Sequence, residues 1–184
     1  DLHKLPIVDK DLLMKNIDRV FTIKKQSAVA VKTGGTTGKS LEVLFTEDDM
    51  QKRFAFLDNF RELREYKLGQ KTAWFSGKKL LNDKNIRNKH FWKYDFLHKV
   101  KYYSTFHCSG VNIKYILHNL IQFKPRYLVG FPSNMYDIAE YGIKNNIQFP
   151  NTLRAVFPTG ETITSEMRDK IELFFHTKIY NQYA

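Results

Sequence analysis

The stretch YLVGFPSNMYDIAEYGIKNNIQFPNTLRAVF, residues 127–157, contains two apolar runs separated by a pattern of helical period. Residues 127–131 predict a short buried strand, and residues 155–157 predict another. Between them, Ser133 predicts the start of a helix, because Met135, Ile138 and Ala139 follow at helical spacing. A strand, a helix and a strand in this order indicate a parallel sheet covered by helices.

The same alternation continues on both sides of this stretch. We therefore predict an α/β fold with a mostly parallel sheet flanked by helices, forming a single α/β segment over residues 1–184. Residues 78–100 are expected to be irregular. The elements predicted outside the central stretch are strands at 28–33, 41–45, 72–75, 101–104 and 178–180, and helices from Thr46 to Gly69, over 113–121, and from Thr164 or Ser165.

Composition limits the class of protein. The chain has 184 residues, of which 42% are hydrophobic and 27% charged, as is typical of a globular protein. No apolar run approaches the ~20 residues that span a bilayer. Cys108 is the single cysteine, which excludes an internal disulfide. Residues 1–6 contain no signal-peptide core, so we expect a cytoplasmic location.

The net charge of +11 raises the hypothesis of a nucleic-acid-binding domain. Residues 78–101 combine lysines and histidines with the aromatic residues Phe91, Trp92, Tyr94 and Phe96, which could stack on bases. No recognised nucleic-acid-binding signature is present. We therefore favour a solvated basic segment whose aromatic side chains fold into the core, and we expect no nucleic-acid partner.

A run of glycines and hydroxyl residues, TGGTTGKS at 33–40, is the strongest candidate for binding chemistry. Glycines let a loop expose successive N–H groups as a concave anion site, and the hydroxyls and Lys39 add donors. The Walker A pattern fails because Thr33 stands where its first glycine is needed. The alternating residues 41–45 also predict a strand after the run, not a helix. A phosphate-binding hairpin and a plain Gly/Thr-rich turn both fit this window alone.

Four motifs in order make the chain resemble the adenylate-forming enzymes, specifically the phenylacetate–CoA ligase branch and its CapK-like relatives of capsular polysaccharide biosynthesis. TGGTTGKS resembles the phosphate-binding signature of that superfamily. The stretch FKPRYLVGFPS at 123–133 resembles its KP…xGxPS segment, and FPTGE at 157–161 resembles the loop that borders the adenine. IYNQYA at 179–184 resembles the start of its YxxYGxTE motif. The resemblance covers nearly the whole chain.

The resemblance implies that ATP activates a carboxylate as an acyl-adenylate, and that CoA or another acceptor then takes the acyl group. ATP and Mg²⁺ are the implied cofactors, with CoA as a candidate. The carboxylate and the nucleotide are the implied small-molecule partners. The implied site residues are Thr33, Gly34, Gly35, Thr36, Thr37, Gly38 and Lys39 at the ATP phosphates; Gly160, Glu161, Thr162, Tyr180, Asn181, Gln182 and Tyr183 at the adenine; and Phe131, Pro132, Ser133 and His107 at the acyl pocket.

The chain also departs from the pattern of this superfamily. The glutamate expected to hold Mg²⁺, the ribose-binding aspartate and the distal lysine would all follow Ala184, so no metal ligand is expected within the chain. We expect an internal piece of a larger AMP-binding domain that is inactive by itself and contacts the rest of its parent chain. Apolar surface around Ile179, Tyr180, Phe174 and Phe175 is expected to be exposed, which would favour oligomers.

Two other functions remain open from the residues alone. The chain could be a non-catalytic nucleotide- or partner-binding module that keeps the fold without the chemistry. It could also be the basic nucleic-acid-binding domain considered above. The role suggested by capsule-type relatives, in surface polysaccharide biosynthesis, rests on analogy.

Overall fold

The computed structural model describes residues 5–32 and 40–182, and the chain divides into two units, 1–56 and 57–184. The first unit contains two short helices, α1 (Lys10–Lys15) and α2 (Ile17–Val20), and a 3₁₀ turn at Lys25–Ser27. A hairpin follows, formed by β1 (Val29–Lys32) and β2 (Glu42–Phe45). Among its described residues, none is buried.

The hairpin confirms the predicted order of strand, glycine-rich run and strand. β1 and β2 pair antiparallel, with Val29 opposite Phe45 and Lys32 opposite Glu42. The element after the run is therefore a strand, where a Walker A loop would lead into a helix. Residues 33–39, which carry all the predicted phosphate-binding groups, lie outside the described residues.

The helix α3 (Glu47–Glu62) begins at the predicted capping box and crosses the division between the units. The Thr46 hydroxyl accepts the Asp49 N–H at 3.0 Å and donates to the Asp49 carboxylate at 2.6 Å. The prediction that Gly69 ends this helix is wrong. Glu65 already has a φ of +61°, and the Tyr66 N–H bonds back to the Arg61 carbonyl at 3.3 Å, which closes the last turn.

The second unit contains a five-stranded sheet in the order β4-β5-β3-β6-β7. Strands β3, β5, β6 and β7 are parallel, and β4 is an antiparallel edge strand, so the predicted mostly parallel sheet is confirmed. Ile179 forms a single parallel bridge to Val156 where a strand was predicted. The strands are β3 (Thr72–Ser76), β4 (Trp92–Asp95), β5 (Val100–Ser104), β6 (Tyr127–Gly130) and β7 (Ala155–Pro158).

Four α-helices follow α3 among the described residues of the second unit: α4 (Asp83–Arg87), α5 (Ile113–Phe123), α6 (Pro132–Lys144) and α7 (Ser165–Phe175). One face of the sheet packs with apolar side chains of α5, α6 and α7, among them Ile116, Met135 and Ile171. Tyr127, Val129 and Phe157 pack with Tyr66 on the other face. Because both faces are covered, all four residues of β6 are buried.

Residues 78–100 are more regular than predicted. Asn82 and Asn85 form a reciprocal capping box that starts α4, and β4 pairs with β5. The aromatic side chains of this segment also divide between core and surface. Phe91 is 1% exposed, whereas Tyr94 is 46% and Phe96 84% exposed, so the prediction that they all fold into the core is wrong for Tyr94 and Phe96.

The apolar surface predicted at the end of the chain is largely covered, although Leu173 of helix α7 is exposed. Ile179, Phe174 and Phe175 are buried, because α7 packs closely against α6. The ring of Phe174 occupies the space that a side chain at Gly142 would fill. Across residues 5–32 and 40–182, no helix is both long and apolar enough to cross a bilayer.

Candidate active site

The parallel strands β3, β5, β6 and β7 all end at one edge of the sheet, where ligands of α/β folds bind. We call this edge the carboxyl edge and define it by residues 76–77, 104–107, 130–133, 158–162 and 180–182. Four predicted segments lie along it: His107 after β5, residues 131–133 after β6, residues 160–162 after β7, and residues 180–182 after the bridge at Ile179.

Ser133 and Glu161 join two of these segments directly. Glu161 accepts the backbone N–H of Ser133 at 3.1 Å and its hydroxyl at 3.0 Å. Ser133 was expected to cap α6, but the N-cap is Phe131 and Pro132 is the first residue of the helix. A carboxylate from the next loop therefore binds a free N–H of the first turn, where the helix dipole favours negative charge.

A second contact joins the same two segments through Phe131 and Gly160. Gly160 has a φ of +80°, and a Cβ built there would lie 2.7 Å from Cε1 of Phe131. The Thr159 N–H also donates to the Gly130 carbonyl at 2.9 Å. The ring of Phe131 thus packs against the backbone of Gly160, and the loop after β7 is held against the start of α6.

His107 lies in the single-turn helix that follows β5. Its Nδ1 is 2.9 Å from the hydroxyl of Ser104, a residue that is 1% exposed. The imidazole ring stacks on Phe91 with ring centroids 5.7 Å apart. These two contacts fix the orientation of the ring. Because β3 lies between β5 and β6, His107 is about 10 Å along the edge from residues 131–133.

The segment Ile179 to Asn181 is tied to α7. Arg168 donates to the Ile179 carbonyl at 3.1 Å and to the Asn181 side chain at 3.2 Å. The Ile179 N–H donates to Glu172 at 3.0 Å, and Lys178 binds the same carboxylate at 2.6 Å. Burial by itself raises the pKa of Glu172, but these hydrogen bonds hold it below its ordinary value.

Arg61 is a residue of this region that sequence reasoning missed. It is 3% exposed, and its Nε donates to the Gln182 side chain at 3.0 Å. Its guanidinium lies over the rings of Trp74 and Phe157, at 5.5 and 5.7 Å from their centroids. Burial lowers the pKa of Arg61 from its ordinary value. No pattern around Arg61 distinguishes it from the other charged residues of α3, so the sequence carried no signal for it.

The structure therefore brings together the predicted residues of the acyl and adenine groups, Phe131 with Gly160 and Ser133 with Glu161. His107, Tyr180, Asn181 and Gln182 lie on the same edge and are held there by other partners. Tyr183 and residues 33–39 lie outside the described residues. Within those residues, no group of three His, Cys, Asp or Glu side chains could hold a metal ion. We therefore assign no described residue to Mg²⁺.

Several solved structures share this fold at low sequence identity. 2-Hydroxyisobutyryl-CoA ligase, in complex with 2-HIB-AMP and CoA, matches 96% of this chain and 42% of its own, with a TM-score of 0.63 and 15% identity. The Vibrio cholerae adenylation domain AlmE, in complex with glycyl-adenosine-5'-phosphate, matches 96% of this chain and 31% of its own chain, with a TM-score of 0.52 and 13% identity. The ATP-bound RpMatB-BxBclM chimera matches 84% of this chain and 28% of its own chain, with a TM-score of 0.55 and 12% identity.

The chain therefore has the α/β fold that these adenylate-forming enzymes share. No protein-family model matches the chain. Over all 184 residues it is 36% identical to Protein CapK of Staphylococcus aureus, and it spans 41% of the length of that protein. The predicted resemblance to the CapK-like relatives of the adenylate-forming enzymes is therefore confirmed.

Proposed function

We propose that the chain is part of an enzyme that activates a carboxylic acid with ATP. A carboxylate oxygen attacks the α-phosphorus, the bond from that phosphorus to the bridging oxygen breaks, and pyrophosphate leaves. The product is an acyl-adenylate. A thiol such as CoA, or another nucleophile, then takes the acyl group and releases AMP. Charge develops on phosphoryl oxygens, so positioned donors and cations supply most of the catalysis.

The observation that carries this proposal is the pair of contacts Ser133–Glu161 and Phe131–Gly160 at the carboxyl edge. They hold the segments that resemble the acyl and adenine motifs side by side. An acyl-adenylate needs this adjacency, because its acyl and adenosine parts are joined through one phosphate. Relatives of the same fold are described with 2-HIB-AMP and with glycyl-adenosine-5'-phosphate.

Each group of residues then has a proposed role. Thr33 to Lys39 would donate to the β- and γ-phosphates. Gly160, Glu161 and Thr162 would border the adenine, and residues 180–183 would line its junction with the acyl substrate. Phe131, Pro132 and Ser133 would form the floor of the acyl pocket, with His107 at its side.

The finer assignment follows the CapK likeness. We propose a phenylacetate–CoA ligase-like reaction in surface polysaccharide biosynthesis, in a cytoplasmic parent protein whose remaining chain supplies the catalytic groups. Mg²⁺ would neutralise charge on the phosphates. Because the described residues offer no ligand set for it, no step is assigned to the ion here.

The test is a calorimetric titration of the 184-residue chain with ATP, with and without single-stranded RNA as competitor. We expect saturable ATP binding that RNA does not displace. Lys39→Ala should weaken binding by about 1–3 kcal/mol, the cost of losing a hydrogen bond to a charged group.

The matched control is Lys144→Ala, which removes the same charge from the exposed end of α6. Its affinity for ATP should equal that of the unchanged chain. Displacement of ATP by RNA would favour the nucleic-acid hypothesis. Equal affinities of the Lys39 and Lys144 variants would remove the glycine-rich run from the proposal.

A further inference from the structure

The edge of the sheet opposite the carboxyl edge carries a row of basic residues. Lys71, Lys99, Arg126 and Arg154 each directly precede one of the four parallel strands. Their backbones are linked across the sheet: the Arg126 N–H donates to the Lys71 carbonyl and the Arg154 N–H to the Arg126 carbonyl, both at 2.8 Å. Since neighbouring strands lie ~4.8 Å apart, four positions in register form a row about 14 Å long. We call these four residues the basic row.

No carboxylate of the described residues neutralises the charge of the basic row through an ion pair. Across residues 5–32 and 40–182, none of its four members forms an ion pair with a carboxylate. Arg126 and Arg154 line an open depression of about 400 Å³ together with Lys124, a further cation at the end of α5. The Nε of Arg126 is buried there without a partner. Lys71, Lys99 and Arg154 are exposed, so an anionic surface can approach their charges.

An apolar tip stands at the end of the same edge. The turn between β4 and β5, residues 96–99, presents Phe96 at 84% and Leu97 at 79% exposure. Lys99 of the basic row is the last residue of this turn. The nearby carboxylate of Asp95 is occupied by His98, whose Nδ1 lies 2.7 Å from it. Two large exposed apolar side chains therefore lie at the end of a row of cations that form no ion pair within the described residues.

We propose that this edge binds the surface of an anionic lipid bilayer. Phe96 and Leu97 enter the headgroup region, and the basic row lies on the negative surface. A nucleic acid would also match the cations, but Leu97 has no ring on which a base could stack. The bilayer uses both features at once, since it offers negative charge and an apolar layer directly beneath it.

The proposal is independent of the proposed enzyme function. The basic row and the carboxyl edge lie at opposite ends of strands of four or five residues, which places them roughly 15 Å apart. A bilayer bound at one edge therefore leaves the other open to solutes.

The test is sedimentation of the 184-residue chain with vesicles of phosphatidylcholine alone, or with about 30% phosphatidylserine. We expect binding only to the anionic vesicles, and weaker binding as salt is raised. Lys71→Gln with Arg154→Gln should lower the partition coefficient about 30-fold. The matched control is Lys79→Gln with Lys114→Gln, which removes the same charge from positions beyond the opposite ends of the strands. This control should change the partition coefficient by less than about 3-fold.

A second variant tests the apolar tip without changing charge. Phe96→Ser with Leu97→Ser should reduce binding to the anionic vesicles about 10-fold or more. Both side chains are exposed, so thermal melts should match those of the unchanged chain. Absence of vesicle binding overturns the proposal. The proposal is also overturned if the chain binds a single-stranded RNA, and if this binding depends on the basic row but not on Phe96 and Leu97. That result would identify a nucleic-acid surface.

Discussion

At the scale of single residues, glycines with positive φ decide how closely the loops of the carboxyl edge approach one another. A Cβ at Gly130 would lie 2.6 Å from the Phe75 carbonyl, and one at Gly160 would meet the ring of Phe131. The sequence pointed to Gly160 through a motif. The reason for a glycine there is visible only in the structure, because its neighbour comes from a different loop.

Gly160→Ala should therefore destabilise the unit 57–184 and weaken ATP binding. Gly69→Ala is a matched control, since Gly69 has a φ of +81° and no atom within 4 Å of its built Cβ. Both changes should cost about 1 kcal/mol for the left-handed backbone. Gly160→Ala should cost about 1–3 kcal/mol more, for the displaced ring. Urea titrations followed by tryptophan fluorescence report on this unit, which contains both tryptophans, Trp74 and Trp92. Equal losses for the two variants would contradict the packing argument.

Cys108 offers a second test at this scale. It is 2% exposed, and burial raises the pKa of its thiol to about 12. Because the thiolate is the reactive form, Cys108 should react with a thiol reagent at pH 8 at least about 100-fold more slowly in the folded chain than in urea. Ellman's reagent measures both rates, and free glutathione provides the reference. Fast labelling of the native chain would show that this part of the core opens readily.

At the scale of elements, α7 positions residues 178–181, where the chain comes back to the sheet. Glu172 binds Lys178 and the Ile179 N–H, while Arg168 holds the carbonyl of Ile179. Ile179 forms a single bridge to β7 and not the full set of backbone hydrogen bonds of a strand. These polar contacts therefore hold the segment in place. They position Asn181 and Gln182 at the carboxyl edge.

Glu172→Gln should destabilise the unit by about 1–3 kcal/mol at pH 7. The folded chain holds the pKa of Glu172 below its ordinary value of 4.5. The stabilisation is therefore complete above that pH and is lost as the pH falls through the lower, folded-state pKa. The difference between the unchanged chain and the variant should shrink below about pH 4. Exposed Glu62, at the end of α3, supplies the control Glu62→Gln. A pH-independent difference would show that another contact carries the effect.

At the scale of the whole molecule, the buried side chains of the described residues all belong to the unit 57–184. Its parallel strands give the sheet two unlike edges, one with the loops that resemble the adenine and acyl motifs and one with the basic row. Topology thus places a basic residue directly ahead of each parallel strand.

We predict that the 184-residue chain binds ATP without catalysing exchange of pyrophosphate into ATP. The groups that the resemblance assigns to Mg²⁺ and to the chemical step are not among its residues. Their loss lowers the chemical rate far more than ground-state binding. Exchange should be measured with a panel of aryl and aliphatic acids, with a longer parent protein as positive control. Robust exchange by the chain alone would mean that the catalytic groups have been misassigned.

Local signals determined much of the fold in advance. The apolar runs at 127–131 and 155–157, the period of α5 and the Thr46 capping box depend on neighbours within a few residues, and the structure confirms the elements they predict. Local signals failed where partners are distant. β4 is a strand because β5 pairs with it, and Ser133 binds Glu161 from the loop after β7 where it was expected to cap a helix.

The sequence by itself determined the class of fold, the family likeness and the candidate residues, since these are encoded as short motifs in a fixed order. Tertiary structure alone decided which candidates meet, that Arg61 is buried beside Gln182, and that four basic residues far apart in the chain form one row. The physical reason is that motifs describe contacts along the chain. A parallel sheet brings together residues separated by tens of positions, through strand register that no short window contains.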